Sequence, residues 1–170
     1  MKDSLIHTAL SNDQITSKIP NCSFVPYEDL HQYTSLKQLL PTRDHKVLLL
    51  YQLEKVGHFC CLFYNNEGLQ CFDSLAFRPD DPLDLVSPKY VKSKHQDFSY
   101  LLGLLLQSKV PVIWSPYRLQ KHKTSTCGHW CTIRMLWWSL YCDDFAHCFT
   151  HMKDRDRAVA IIFKNLKSVA

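Results

Sequence analysis

Four residues along the chain, His58, Asp73, Gln120 and Cys127, are of types that together can attack a carbonyl group. A cysteine attacks only as thiolate, and the positive end of a helix dipole is one of the few ways a sequence can favour that form. Cys127-Gly128 follows Thr124, Ser125 and Thr126, all good N-cap types, and precedes Trp130, Ile133, Trp137 and Tyr141 at spacings of three and four. This pattern places Cys127 in the first turn of a helix. Met135, Trp138 and Cys142 make the opposite side apolar too, with little polar beyond Arg134, so the helix belongs in a core. Such a nucleophile needs a base to take its proton, a group to hold that base in the right tautomer, and donors for the developing oxyanion. His58, Asp73 and Gln120 with the Cys127 backbone N–H suit these roles, Gln120 lying seven residues upstream of the cysteine.

The base and its orienter require a particular hairpin. From Lys46 the sequence reads KVLLLYQL, HFCCLFY and LQCFD, separated by turn chemistry at residues 54–57 and 65–68. This is the pattern of an antiparallel meander, and its near-continuous apolar runs predict a sheet covered on both faces. With 65–68 as a four-residue loop, Tyr64 faces Leu69 and Cys60 faces Asp73. His58 then lies one diagonal step from Asp73 on the same face, roughly 7–8 Å away at the backbone. A slip of one residue would send the two side chains to opposite faces. His129 and His122 are rival bases by nearness in sequence. His129, two positions from Cys127 on a helix, faces away from it. His122 shares the loop, and spacing alone does not separate it from His58, which is preferred because Asp73 gives it a partner.

The remaining chain supplies packing. A length of 170 residues with 46% hydrophobic and 12% aromatic content fits one domain with a single core. Residues 1–45, broken by Pro20, Pro26 and Pro41, hold short helical possibilities at 11–19 and 27–40, the first capped by Ser11 or Asn12, and nothing chemical. Residues 46–142 form the core that carries the chemistry, and 143–170 form a C-terminal helical part. Residues 77–88 read as an exposed connection, and Phe98, Leu101, Leu102 and Leu105 as an amphipathic helix over about 96–107. Residues 110–114 read as a short strand in which Pro111 suits an edge or first position. Residues 143–151 read as a polar connection before a helix bearing Val159, Ile162, Phe163 and Leu166. His7, His31 and His45 stand alone, as surface histidines do.

Composition excludes several classes. The eight cysteines come without a signal-peptide pattern in the first ten residues, and Cys60-Cys61 on a strand point to opposite faces, so reduced thiols in an intracellular protein are expected. Cys22, Cys131, Cys142 and Cys148 read as packing or incidental residues. Cys127 and Cys131 have a zinc-like spacing, to which His58, Cys60, Cys61 and Cys71 could add ligands. No second Cys-x2–4-Cys pair and no His-x3–5-His accompanies them, and no metal or cofactor is expected. The net charge of +4 is mild. Lys89, Lys92, Lys94 and His95, then Lys121, His122 and Lys123, are the densest basic runs. They allow a weak contact with nucleic acid, although a solvated face is the plainer reading. No apolar run approaches the ~20 residues a membrane span needs.

The pieces G-H-F-x-x-L-F-Y around His58, C-F-D-S around Asp73 and Q-x6-C-G-x-W-C from Gln120 to Cys131 resemble the adenovirus-protease and SUMO-protease superfamily of cysteine proteases. The resemblance covers roughly residues 46–142 and lies in the order His, Asp, Gln, Cys as well as in the pieces. Its small size resembles the viral maturation branch of adenoviruses, virophages and Polinton-type elements. It implies an α+β fold, a central mixed and largely antiparallel sheet flanked by helices, with the nucleophile at the start of a buried central helix. It also implies an endopeptidase with His58, Asp73 and Cys127 as triad and Gln120 with the Cys127 N–H as oxyanion hole. Implied substrates are viral capsid or other structural precursors cut beside small residues such as glycine, in the virion or the infected cell. Processing of ubiquitin-like modifiers, an acetyltransferase and a non-catalytic binding module are the alternatives. The sequence departs from the pattern at Phe59, where tryptophan is usual, and at His129, where an apolar residue is usual. It also has no cysteine between Phe72 and Cys127 to which a disulfide-linked peptide activator could attach.

Overall fold

The computed structural model describes residues 4–169. Two short helices, α1 (Ser4–His7) and α2 (Asn12–Thr16), lead into strand β1 (Cys22–Pro26), a 3-10 turn at Tyr27–Gln32 and helix α3 (Leu36–Leu39). Strands β2 (Lys46–Gln52), β3 (Gly57–Tyr64) and β4 (Leu69–Phe72) follow. After a 3-10 turn at Asp81–Leu85 come helices α4 (Pro88–Ser93) and α5 (Tyr100–Ser108) and strand β5 (Val112–Trp114). The chain ends in helices α6 (Cys127–Leu136), α7 (Cys142–His147) and α8 (Arg155–Asn165).

The five strands form one mixed sheet in the order β1-β2-β3-β4-β5, an antiparallel meander flanked by a parallel strand at each edge. The fold is α+β, as the motifs imply. Period-two alternation sorts the apolar runs onto two faces. Leu48, Phe59, Cys61, Phe63 and Phe72 pack with Ile15, Trp130, Ile133, Phe145, Phe149 and Val159 on one side. Val47, Leu49, Tyr51, Cys60, Leu62 and Cys71 pack with Tyr27, Leu36, Leu101 and Leu105 on the other. Adjacent Cys60 and Cys61 therefore belong to different cores. Both edge strands abut a proline, Pro26 at the end of β1 and Pro111 just before β5, where the missing N–H costs no ladder bond. Ser11 caps α2 through a capping box, its hydroxyl accepting from the Gln14 N–H while the Gln14 carboxamide accepts from the Ser11 N–H.

Several local expectations need correction. Residues 1–45 contribute a strand as well as helices, because β1 pairs in parallel with β2 from Cys22–Lys46 to Pro26–Leu50, a long-range pairing that five residues do not advertise. The 77–88 connection is partly internal. Asp80 is buried, accepting from the Tyr27 hydroxyl at 2.7 Å and the Leu102 N–H at 3.0 Å. The helix expected from residue 96 starts at Tyr100, since the buried Gln96 instead pairs both ways with the Gln52 backbone at 3.0 Å. The polar connection at 143–151 contains α7 and buries Phe145, Ala146 and Phe149.

Helix α6 is shorter than the apolar periodicity predicts, ending before Trp137, Trp138 and Tyr141, which are partly exposed. Arg134 ends it. Its fully buried guanidinium donates to the Trp137 and Leu140 carbonyls at 3.1 Å and to Gln70 Oε1 at 3.2 Å, and lies over the Phe63 and Phe145 rings at 4.8 and 5.0 Å. The carbonyls just beyond the helix end and the sheet glutamine thus take the cation of an otherwise apolar helix. Arg134→Met removes these three hydrogen bonds while keeping most of the volume, and should destabilise the protein by about 2–4 kcal/mol in urea unfolding.

Candidate active site

The hairpin sets the first half of the site. Pairing runs from Tyr64–Leu69 to Cys61–Phe72, so Asp73, one residue beyond β4, emerges beside the start of β3, where His58 is paired with Tyr51. His58 Nε2 lies 2.6 Å from Asp73 Oδ2, and both residues are buried. The other carboxylate oxygen, Oδ1, accepts the Leu75 N–H at 2.8 Å, and Asp73 O accepts from Ala76, whose left-handed φ of 63° closes the turn. Phe77 stands edge-on to the imidazole at 5.9 Å. The aspartate is therefore fixed from both sides, and it holds the imidazole by Nε2, leaving Nδ1 for another partner.

Cys127, at the head of α6, acts on the same ring, its thiol adding to the aspartate's pull on the imidazole. Burial alone would lower the His58 pKa. The Asp73 carboxylate, and after it the Cys127 thiol, outweigh burial and raise it to about 10. Helix α6 packs against β3, and Gly128 permits close approach to the N-terminal part. A Cβ there would meet Ile15 Cδ1 at 2.7 Å and Leu10 Cβ at 3.5 Å. The Ser125 N–H donates to the Ile6 carbonyl at 2.8 Å, tying α1 to the segment just before Cys127. Cys127 is buried, with 8% of its surface exposed.

Gln120 is buried in the loop between β5 and α6. Its Nε2 donates to the Thr124 carbonyl at 2.9 Å, and its Oε1 accepts from the Ser74 hydroxyl at 2.6 Å. A carbonyl only accepts, so the Thr124 bond fixes which end of the carboxamide is nitrogen, and the Ser74 hydroxyl then must donate. The Ser74 carbonyl also accepts the Leu119 and Gln120 N–H groups, each at 2.9 Å. The dipeptide Asp73-Ser74 thus holds the imidazole with its first residue and the carboxamide with its second. Ser74 stood inside the C-F-D-S piece, but only the fold reveals what its side chain does.

The surroundings of His129 and His122 differ from those of His58. His129 is buried with its ring edge-on to Phe163 at 5.1 Å and its Nδ1 without a hydrogen-bond partner among the described residues. Burial lowers its pKa to about 4, against an opposing pull from Asp156. His122 is exposed in the loop. Thr126 occupies the N-cap position of α6, but its hydroxyl donates to Asp156 rather than capping the helix. The described residues contain eight free cysteines and no cluster of metal-ligating side chains. No described helix is long and apolar enough to cross a membrane.

No protein-family model matches the chain. Over 132 residues, 75% of each sequence, it is 31% identical to the uncharacterized protein V9 of Sputnik virophage. A virophage is among the viral sources the motifs imply. Among solved structures, ChlaDub1 from Chlamydia trachomatis is similar with a TM-score of 0.48 and 14% identity, over 99% of this chain and 97% of that one. The C-terminal Ulp1 protease domain in complex with Smt3, the yeast ortholog of SUMO, is similar with a TM-score of 0.34 and 13% identity, over 89% and 71%.

Proposed function

We propose that this chain, which belongs to the family of the Sputnik virophage protein V9, is a cysteine protease that uses Cys127 as nucleophile, His58 as base and Asp73 as orienter. The observation that carries the reading is the imidazole held by Asp73 at 2.6 Å on one nitrogen while the Cys127 thiol, at the start of a buried helix, acts on the same ring. The thiol proton passes to His58 and the sulfur attacks a peptide carbonyl. The Cys127 N–H and the Gln120 carboxamide stabilise the oxyanion. The imidazolium returns its proton to the leaving amine, and a water deprotonated by His58 then releases the acyl group and frees the thiolate.

The finer reading is an endopeptidase that matures viral capsid or structural precursors beside small residues. A family relative from a virophage favours it. The second reading is removal of ubiquitin-like modifiers. Incubation of wild type and Cys127→Ala with capsid precursors, with mass spectrometry of new termini, and parallel labelling with ubiquitin and SUMO suicide probes separates the two. Cleaved precursors without probe labelling support maturation. Labelling without precursor cleavage supports the second reading, and neither outcome from wild type rejects both. Ser74→Ala removes the hydroxyl that seats Gln120 Oε1 while Thr124 still fixes its nitrogen, so kcat should fall about 10-fold with KM little changed.

A further inference from the structure

Asp156, on α8, is a fully buried carboxylate 29 residues beyond the nucleophile, and no motif marks it. Its Oδ2 accepts the Lys121 N–H at 2.8 Å. Its Oδ1 accepts the Trp130 indole N–H at 3.0 Å and the Thr126 hydroxyl. Lys121 follows Gln120 and Thr126 precedes Cys127, so one carboxylate grips both ends of the segment that separates the carboxamide from the thiol. A carboxylate is tolerated at this depth only with its oxygens satisfied, and here two of the three donors belong to that segment.

We infer that Asp156 is a positioning residue for the oxyanion hole: it fixes Gln120 relative to the Cys127 N–H by tethering Lys121 and Thr126. The inference rests on the proposed protease chemistry. Asparagine cannot replace it. The Lys121 amide and the Trp130 indole can only donate, so in either orientation the carboxamide NH2 of Asp156→Asn confronts one of them and a hydrogen bond is lost, either the Lys121 tether itself or the Trp130 bond that holds the side chain in place. Thr126→Val, close in shape, cuts the Thr126 end of the clamp alone.

Two reactions at Cys127 separate positioning from general damage. Alkylation by iodoacetamide needs the thiolate but develops no oxyanion, whereas acylation by p-nitrophenyl acetate passes through a tetrahedral oxyanion. Both rates are read at Cys127 by peptide mass spectrometry. In Asp156→Asn the acylation rate should fall about 10- to 100-fold with alkylation within about 2-fold of wild type, and Thr126→Val should show the same split more weakly. Phe149→Leu, which loosens the same core and touches neither end of the segment, should lower the melting temperature and leave the ratio of the two rates unchanged. Unchanged acylation in both clamp variants, or equal loss of both reactions, overturns the inference. A wild type that is never acylated at Cys127 removes the protease reading itself, and the inference with it.

Discussion

Asp73→Asn should reduce turnover by about 10⁴-fold while leaving the protein folded, because it inverts the imidazole rather than removing it. The Leu75 N–H needs an acceptor and takes the asparagine oxygen, so the new NH2 faces His58 Nε2. That nitrogen must then accept, which puts the imidazole proton on Nδ1, toward the thiol it is meant to deprotonate. The same substitution removes the main cause of the raised His58 pKa, leaving burial to oppose only the lesser pull of Cys127. NMR titration should find His58 changing charge near 10 in wild type and well below that in the variant. A pKa raised on folding means that protonated His58 stabilises the native state fully below about 6.5, with that contribution lost as pH rises through about 10. Wild type should therefore lose melting temperature across that window, and Asp73→Asn should lack this component. A variant with wild-type turnover and an unmoved titration would show that the short contact has no role in the chemistry.

Cys127→Ala should abolish turnover, with a loss on the order of 10⁶-fold, since triad members act as a unit and removal of the nucleophile leaves only binding and the oxyanion hole. The substitution removes one sulfur from a position that is not fully enclosed, so the melting temperature should change little. It also deletes the lesser of the two partners that raise the His58 pKa, so the titration should move downward, by less than in Asp73→Asn. Activity measured against the proposed precursors, circular dichroism and the His58 titration together distinguish a missing nucleophile from a misfolded chain. Retained cleavage would assign the chemistry to another residue.

The meander and the meeting of His58 with Asp73 were legible because both depend on local facts. Turn chemistry at residues 65–68 sets the register, and the register sets the face. The head of α6 was legible for the same reason, since a run of cap-type residues, a Cys-Gly pair and an apolar repeat are all local. Its end was not. Trp137, Trp138 and Tyr141 continue the spacing, but Arg134 turns inward and binds the Trp137 and Leu140 carbonyls, and an arginine's choice of partners is a tertiary matter. Strand β1 depended on pairing with β2 across twenty or so residues, and the internal place of Asp80 on two tyrosines distant in sequence. Ser74 was visible as a motif residue without a role. Asp156 was invisible, because its partners at Lys121, Thr126 and Trp130 are brought to it only when α8 packs against α6.

In the proposed chemistry the His58–Asp73 pair makes one thiol among eight nucleophilic. Limiting iodoacetamide at neutral pH, followed by peptide mass spectrometry of every cysteine, reads out that selectivity. Cys127 should be alkylated ahead of the exposed Cys148 and the half-buried Cys22, and this preference should disappear in Asp73→Asn. Alkylation that follows exposure alone, with Cys148 first and Cys127 unmodified in wild type, would contradict that chemistry.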